Sequence, residues 1–143
     1  IPFVIQHSRG NPEYMQKNPN YKNELLDIYD FFERKIQLLR SEGINHNNII
    51  LDPGIGFGKS FQHNFTLIRR LKEISDLGYP LMIGPSRKAF IGDALNLPPN
   101  ERLEGTIATV IAGILNGANI IRVHDVKEIK RAVLITEKII GSA

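Results

Sequence analysis

The residues best suited to do chemistry in this chain are one acid and several bases, each placed where an apolar run stops. Asp52 closes the run Asn48 to Leu51 and opens a loop with three glycines at alternate positions, Gly54, Gly56 and Gly58, in the decapeptide LDPGIGFGKS. Glycine reaches backbone conformations closed to other residues and allows close approach of a ligand. A carboxylate beside such a loop reads as a binding site; the competing reading is a tight strand-to-helix connection whose Asp caps a turn. Spacing excludes two nucleotide motifs. A P-loop needs glycine where Pro53 stands, and the dinucleotide fingerprint needs a third glycine where Lys59 stands.

The bases follow further along. Ser86-Arg87-Lys88 comes after Gly84-Pro85 and is placed to open a short helix whose free N–H groups attract an anion. Taken alone, Arg87 and Lys88 read as solvated surface charges. Arg122 and His124 lie two apart at the end of an apolar run, so on a strand they share a side. A basic pair there needs an anionic partner or an open cleft to offset desolvation. Asp125 is the neighbouring partner, but alternation turns it to the opposite side, which favours the cleft. His7 reads as a hydrogen-bonding prop, while His46 and His63 carry no signal. Together the set suits a ligand with an electropositive hydrogen-bonding edge and a separate anionic group, without naming it.

The elements that must position these residues alternate. Strands are expected at Phe3 to His7, Ile49 to Leu51, Leu81 to Ile83 and Asn119 to Val123, the first stopping at the turn-rich Gly10-Asn11-Pro12. Between them, Leu25, Ile28, Phe32, Ile36 and Leu39 mark an amphipathic helix over Glu24 to Arg40, stopped by Gly43. Phe65, Ile68, Leu71, Ile74 and Leu77 mark a second helix ended by Gly78 and Pro80. Leu103 to Leu115, rich in small residues, and Val126 to Ile140 supply two more. Strand and helix thus alternate four times, which predicts an α/β fold of parallel strands with right-handed crossovers. His7, Asp52, Ser86 to Lys88, and Arg122 with His124 all fall at carboxyl ends of strands, the edge where (β/α)8 barrels and open α/β sheets place their sites. Four units make half of a barrel that typically needs ~250 residues. The competing architecture is a complete flavodoxin-like sheet.

Composition sets outer bounds. With 143 residues and 42% apolar content the chain is one domain or a piece of one. Eighteen bases against fifteen acids give a net charge of +3, scattered too evenly to track a nucleic-acid backbone. The absence of cysteine removes disulfides and thiolate metal sites and fits a cytoplasmic setting. No stretch reaches the ~18 apolar residues of a membrane span, and no signal peptide is apparent. Ile1 enters a strand almost at once without an initiator Met. We therefore expect that a preceding part of the domain is missing, a processed or trimmed chain being the alternative.

LDPGIGFGKS, GPSRKAFIG and IIRVHDV, in this order and spacing, with the opening VIQHSRGNPEYM, resemble the second half of the dihydropteroate synthase family over essentially the whole chain. The resemblance implies strand-helix units five to eight of a (β/α)8 TIM barrel, the chain being a partial pterin-binding domain over 1–143. It implies a folate-pathway transferase, the sulfonamide target, that joins 4-aminobenzoate to 6-hydroxymethyl-dihydropterin diphosphate with Mg2+ assistance and releases pyrophosphate. By the same resemblance Asp52 accepts hydrogen bonds from the pterin 2-amino and N3 groups. Lys88 donates toward the pterin ring and lines the aminobenzoate site. Arg122 lies over the pterin face and, with His124, holds the diphosphate. Ser86 and the adjoining backbone at Gly84 meet the aminobenzoate carboxylate, and Phe57 packs on its ring. Ile55 and Pro85 depart from common family residues and are expected to adjust pocket shape. The family's metal-binding Asn, its mobile first loops and the polar residues of its third and fourth strands have no counterpart, so no metal ligand is assigned here.

Two rivals stand beside this reading. A methyltetrahydrofolate-dependent methyltransferase shares the acid-and-glycine strand end but has no diphosphate for Arg122 and His124 to hold. A non-catalytic half-barrel module would use the small residues Gly105 to Gly113 for close helix packing at an interface. The family also dimerises through its last helices, so a homodimer is expected.

Overall fold

The computed structural model describes residues 1–8 and 21–141; the turn expected at Gly10 to Pro12 lies outside them. Ile49, Leu51 and Ile83 are fully buried within a parallel sheet. Strand β1 (Phe3–Gln6) pairs with β2 (Ile49–Asp52) in the register Phe3↔Ile49 to Gln6↔Asp52. A parallel bridge, Leu51↔Leu81, carries the pairing onward, with the Leu51 N–H donating to the Pro80 carbonyl at 2.9 Å. Strand β3 (Met82–Ile83) then pairs with β4 (Ile120–Ile121). The order is therefore β1-β2-β3-β4, with each strand beside its predecessor and no reversal. The flavodoxin-like alternative requires a reversal at its switch point, so this order excludes it.

Helix α1 (Tyr21–Ser41) buries Leu25, Ile28 and Phe32 along the predicted stripe and stops where Gly43 turns to φ +83°. The expected second helix is two. Helix α2 (Phe61–Arg69) ends at Arg70, whose φ and ψ of −103° and 16° leave the helical region, and α3 (Leu71–Ser75) restarts from it. The reason is the apolar period: a repeat of three drifts off a face that turns every 3.6 residues. The break resets the stripe, so Leu71 and Ile74 are buried beside Leu67 and Ile68. Helices α4 (Ala89–Leu95), α5 (Leu103–Leu115) and α6 (Val126–Ile140) complete the alternation. Of the fourth expected strand only Ile120–Ile121 is paired as strand, while Asn119 meets Leu81 twice, its side-chain carbonyl accepting the Leu81 N–H at 3.0 Å and its own N–H donating to the Leu81 carbonyl at 2.9 Å.

Side chains of both strand pairs and of α1 to α4 form one core around Phe32, Leu51, Leu71, Ile83 and Phe90. Two small residues of α5 serve packing within the chain. A Cβ on Gly105 would strike Ile91, and one on Gly113 would strike Ile83.

Candidate active site

Asp52 is set in place by one backbone and one side-chain donor. Its Oδ1 accepts the Gly54 N–H at 2.8 Å and its Oδ2 accepts from Gln6 Nε2 at 3.1 Å. The carboxylate is 2% exposed at the carboxyl end of β2, and its main-chain carbonyl takes the His7 N–H at 2.9 Å. His7 is itself buried, edge-on to Phe31 with ring centroids 5.1 Å apart, which fits the role of a prop.

The glycine loop is shaped around neighbours. Gly54 (φ +73°) presses on the His7 carbonyl, and Gly56 (φ +84°) on the stem of Lys88, so neither position has room for a Cβ. The close approach that these two glycines allow is therefore to a backbone carbonyl and a lysine stem. Two clamps hold the loop from beneath. Asn64, 1% exposed, accepts the Gly56 N–H at 2.7 Å through Oδ1 and donates to the Ser60 carbonyl at 3.0 Å. Lys59 Nζ donates to the carbonyls of Gly54 at 3.0 Å and Phe57 at 3.1 Å. Sequence reading missed both roles. The available signal for Asn64 was a polar residue four before Ile68 and seven before Leu71, on the apolar stripe. His63, also passed over, is buried and ion-paired with buried Glu24 of α1.

Lys88 crosses from β3 to this loop. Its Nζ donates to the Ile55 carbonyl at 2.6 Å and lies 3.9 Å from the centre of the Phe57 ring, a cation over an aromatic face. Burial of the charge pushes the Lys88 pKa below the ordinary lysine range; Asp52 works against that shift and Arg122 adds to it. Asp52, Lys88 and Arg122 therefore share one electrostatic neighbourhood. Arg122 rests its guanidinium on Gly84, where a Cβ would lie 3.2 Å from Nε. No hydrogen bond or ion pair ends on that guanidinium among the described residues.

Ser86 is buried and turned to His124. Its Oγ accepts the His124 main-chain N–H at 3.1 Å and lies 2.8 Å from Nδ1, which leaves Nε2 facing outward on an exposed side chain. Asp125 takes Arg87 as its partner, at 2.7 and 3.1 Å, rather than the basic pair beside it. Arg87 is accordingly ion-paired as well as partly exposed to solvent, since β3 and β4 bring the two loops together. Among the described residues no three His, Asp or Glu side chains converge on one point. The described residues therefore do not fit a Mg2+ ligand set.

The family described as pterin binding enzyme matches residues 1–124. This chain belongs to the pterin-binding enzyme family. Dihydropteroate synthase of Escherichia coli strain K12 is 41% identical over 137 residues, covering 96% of this chain and 49% of that protein. The enzyme of the same name from Clostridium beijerinckii is 44% identical over 141 residues, covering 98% and 50%. In three dimensions the chain superposes on Yersinia pestis dihydropteroate synthase, solved with a sulfonamide drug complex, with a TM-score of 0.92 at 40% identity, covering 100% of this chain and 52% of that one. The chain spans about half the length of the relatives it matches. Among the described residues no helix is long and apolar enough to cross a membrane.

Proposed function

We propose that residues 1–143 are a partial pterin-binding domain, units five to eight of a (β/α)8 barrel, and that the complete protein is a dihydropteroate synthase. The observation that carries this reading is the convergence of Asp52, Lys88 and Arg122 from three successive strand ends in a member of the pterin-binding family. The unreversed strand order supports the barrel. So do Phe3 and Val4 of β1, 42% and 48% exposed, as expected of a strand that lacks a neighbouring element.

In this function Asp52 uses the lone pairs left beside Gly54 and Gln6 to accept from the pterin amino and N3 groups. Lys88 turns its remaining hydrogens to the pterin ring, while Phe57, with Ser86 and the backbone at Gly84, bounds the 4-aminobenzoate site. The carbon–oxygen bond to the diphosphate breaks with its electron pair staying on the departing oxygen. Arg122 and His124 meet that growing charge, where preorganised donors stabilise most. The amine nitrogen of 4-aminobenzoate forms the new carbon–nitrogen bond and releases a proton. Any Mg2+ is held by residues outside this chain. Exposed Leu134, Ile135 and Ile139 on α6 support homodimer formation through the last helices.

The test is turnover by the full-length protein supplied with both substrates and Mg2+. Equimolar dihydropteroate and pyrophosphate are expected, with sulfonamide competing against 4-aminobenzoate. Asp52→Asn is expected to lower kcat/KM by about 100-fold, the loss of one or two charge-assisted bonds. Absence of dihydropteroate would sink the proposal.

A further inference from the structure

We infer that Arg87 and Asp125 are positioning residues whose ion pair fixes the loop after β3 against the loop after β4. The pair thereby sets the separation between Lys88 and the two bases Arg122 and His124. The inference rests on the proposed reading of the site.

Contacts of both the side chain and the main chain of Arg87 point to this role. Its Nε and Nη2 donate to the two carboxylate oxygens of Asp125 at 3.1 and 2.7 Å, a bidentate fork that fixes orientation as well as distance. Its main-chain N–H donates to Oγ1 of Thr106 at 3.0 Å, and Thr106 is fully buried. Its carbonyl accepts from Arg102 Nη1 at 2.8 Å, while Arg102 Nε donates to the Leu97 carbonyl at 3.0 Å. The Arg102 guanidinium lies where a Cβ on Gly92 would be. These contacts hold Arg87 at φ +56°, a left-handed conformation that a non-glycine residue keeps only when its surroundings impose it.

The position of the pair gives it a use. Arg87 sits directly between Ser86 and Lys88, and Asp125 directly follows His124. Two ties therefore run side by side across the strand ends, Ser86 to His124 and Arg87 to Asp125. The side chains of Arg87 and Asp125 are 38% and 20% exposed, so solvent screens the pair and its value lies in geometry more than in stability. The hydrogen bond from Arg87 also holds the Asp125 carboxyl below the usual range, which keeps the fork ionised.

Steady-state kinetics of the full-length protein test this with Asp125→Ala, Arg87→Lys and the double variant. Arg87→Lys keeps the charge and loses the fork. Each single variant is expected to lower kcat by about tenfold or more, as a displacement near 1 Å does, with KM for 4-aminobenzoate changed less than about threefold. The double variant should lose no more than the worse single one, because a pair acting as a unit is non-additive. A kcat within twofold of the unmutated protein in both singles, or strictly additive losses, overturns the inference. If Asp125→Ala fails to fold, Arg87→Lys decides on the same criterion. An unmutated protein that turns over nothing defeats the function proposal instead. Calorimetric binding of inorganic pyrophosphate then decides here: about tenfold weaker binding in the variants supports the inference, and unchanged binding overturns it.

Discussion

Lys88 and Gly56 work as one unit, because the lysine reaches the glycine loop only across a position without a side chain. Gly56→Ala therefore carries two penalties, a left-handed φ of +84° and a methyl in the path of Lys88. Together they are expected to destabilise the protein by about 1–3 kcal/mol and to weaken pterin binding, which thermal denaturation and calorimetry would read separately. Lys88 also makes a pH prediction. Burial lowers its folded-state pKa below the 10.5 it has in the unfolded chain. Below the folded value both states are protonated and the folded state bears the full cost of the buried charge. Between the folded value and 10.5 only the unfolded state binds the proton, so this group's contribution to stability rises with pH. Denaturant midpoints of the unmutated protein should climb relative to those of Lys88→Met across that alkaline window; parallel curves would mean an unshifted lysine.

At the scale of elements, packing outweighs surface charge. Phe32 of α1 is 0% exposed at the centre of the core, and Phe32→Ala should cost about 3–5 kcal/mol through lost transfer energy and a residual cavity. The Arg70–Glu73 pair at the α2–α3 break has equally close contacts, 2.7 and 3.0 Å. Its side chains are 39% and 49% exposed, so Glu73→Gln should change stability by no more than about 1 kcal/mol. Chemical denaturation of both variants would rank the two effects; a larger loss for Glu73→Gln would invert the account. The break itself was encoded in the run Phe65, Ile68, Leu71, Ile74, Leu77, whose period of three no single α-helix can present on one face. The double contact of Asn119 with Leu81 was not, since the two lie far apart in sequence.

For the whole molecule, apolar surface faces outward at both ends of the strand order. Phe3 and Val4 of β1, and Ile135 and Ile139 of α6 at 58% and 79% exposure, await cover. The proposed half-barrel accounts for this: the first pair would face the other half and the second pair a partner copy. The 143-residue chain alone should accordingly self-associate with concentration in sedimentation experiments and form no dihydropteroate. A monodisperse, active chain would contradict the half-barrel reading.

The sequence by itself determined the alternation of strand and helix, the parallel sheet, and the strand ends that hold Asp52, Lys88, Arg122 and His124. These follow from local periodicity and from where polar residues interrupt apolar runs, quantities that one window of residues contains. Tertiary structure alone decided which polar groups meet. Arg87 finds Asp125, Ser86 finds His124, Asn64 and Lys59 clamp the glycine loop, and Lys88 lies over Gly56. Such pairings depend on the register of β3 against β4 and on the direction in which each loop leaves its strand. Both are fixed by packing between residues remote in the chain, and no local pattern records them.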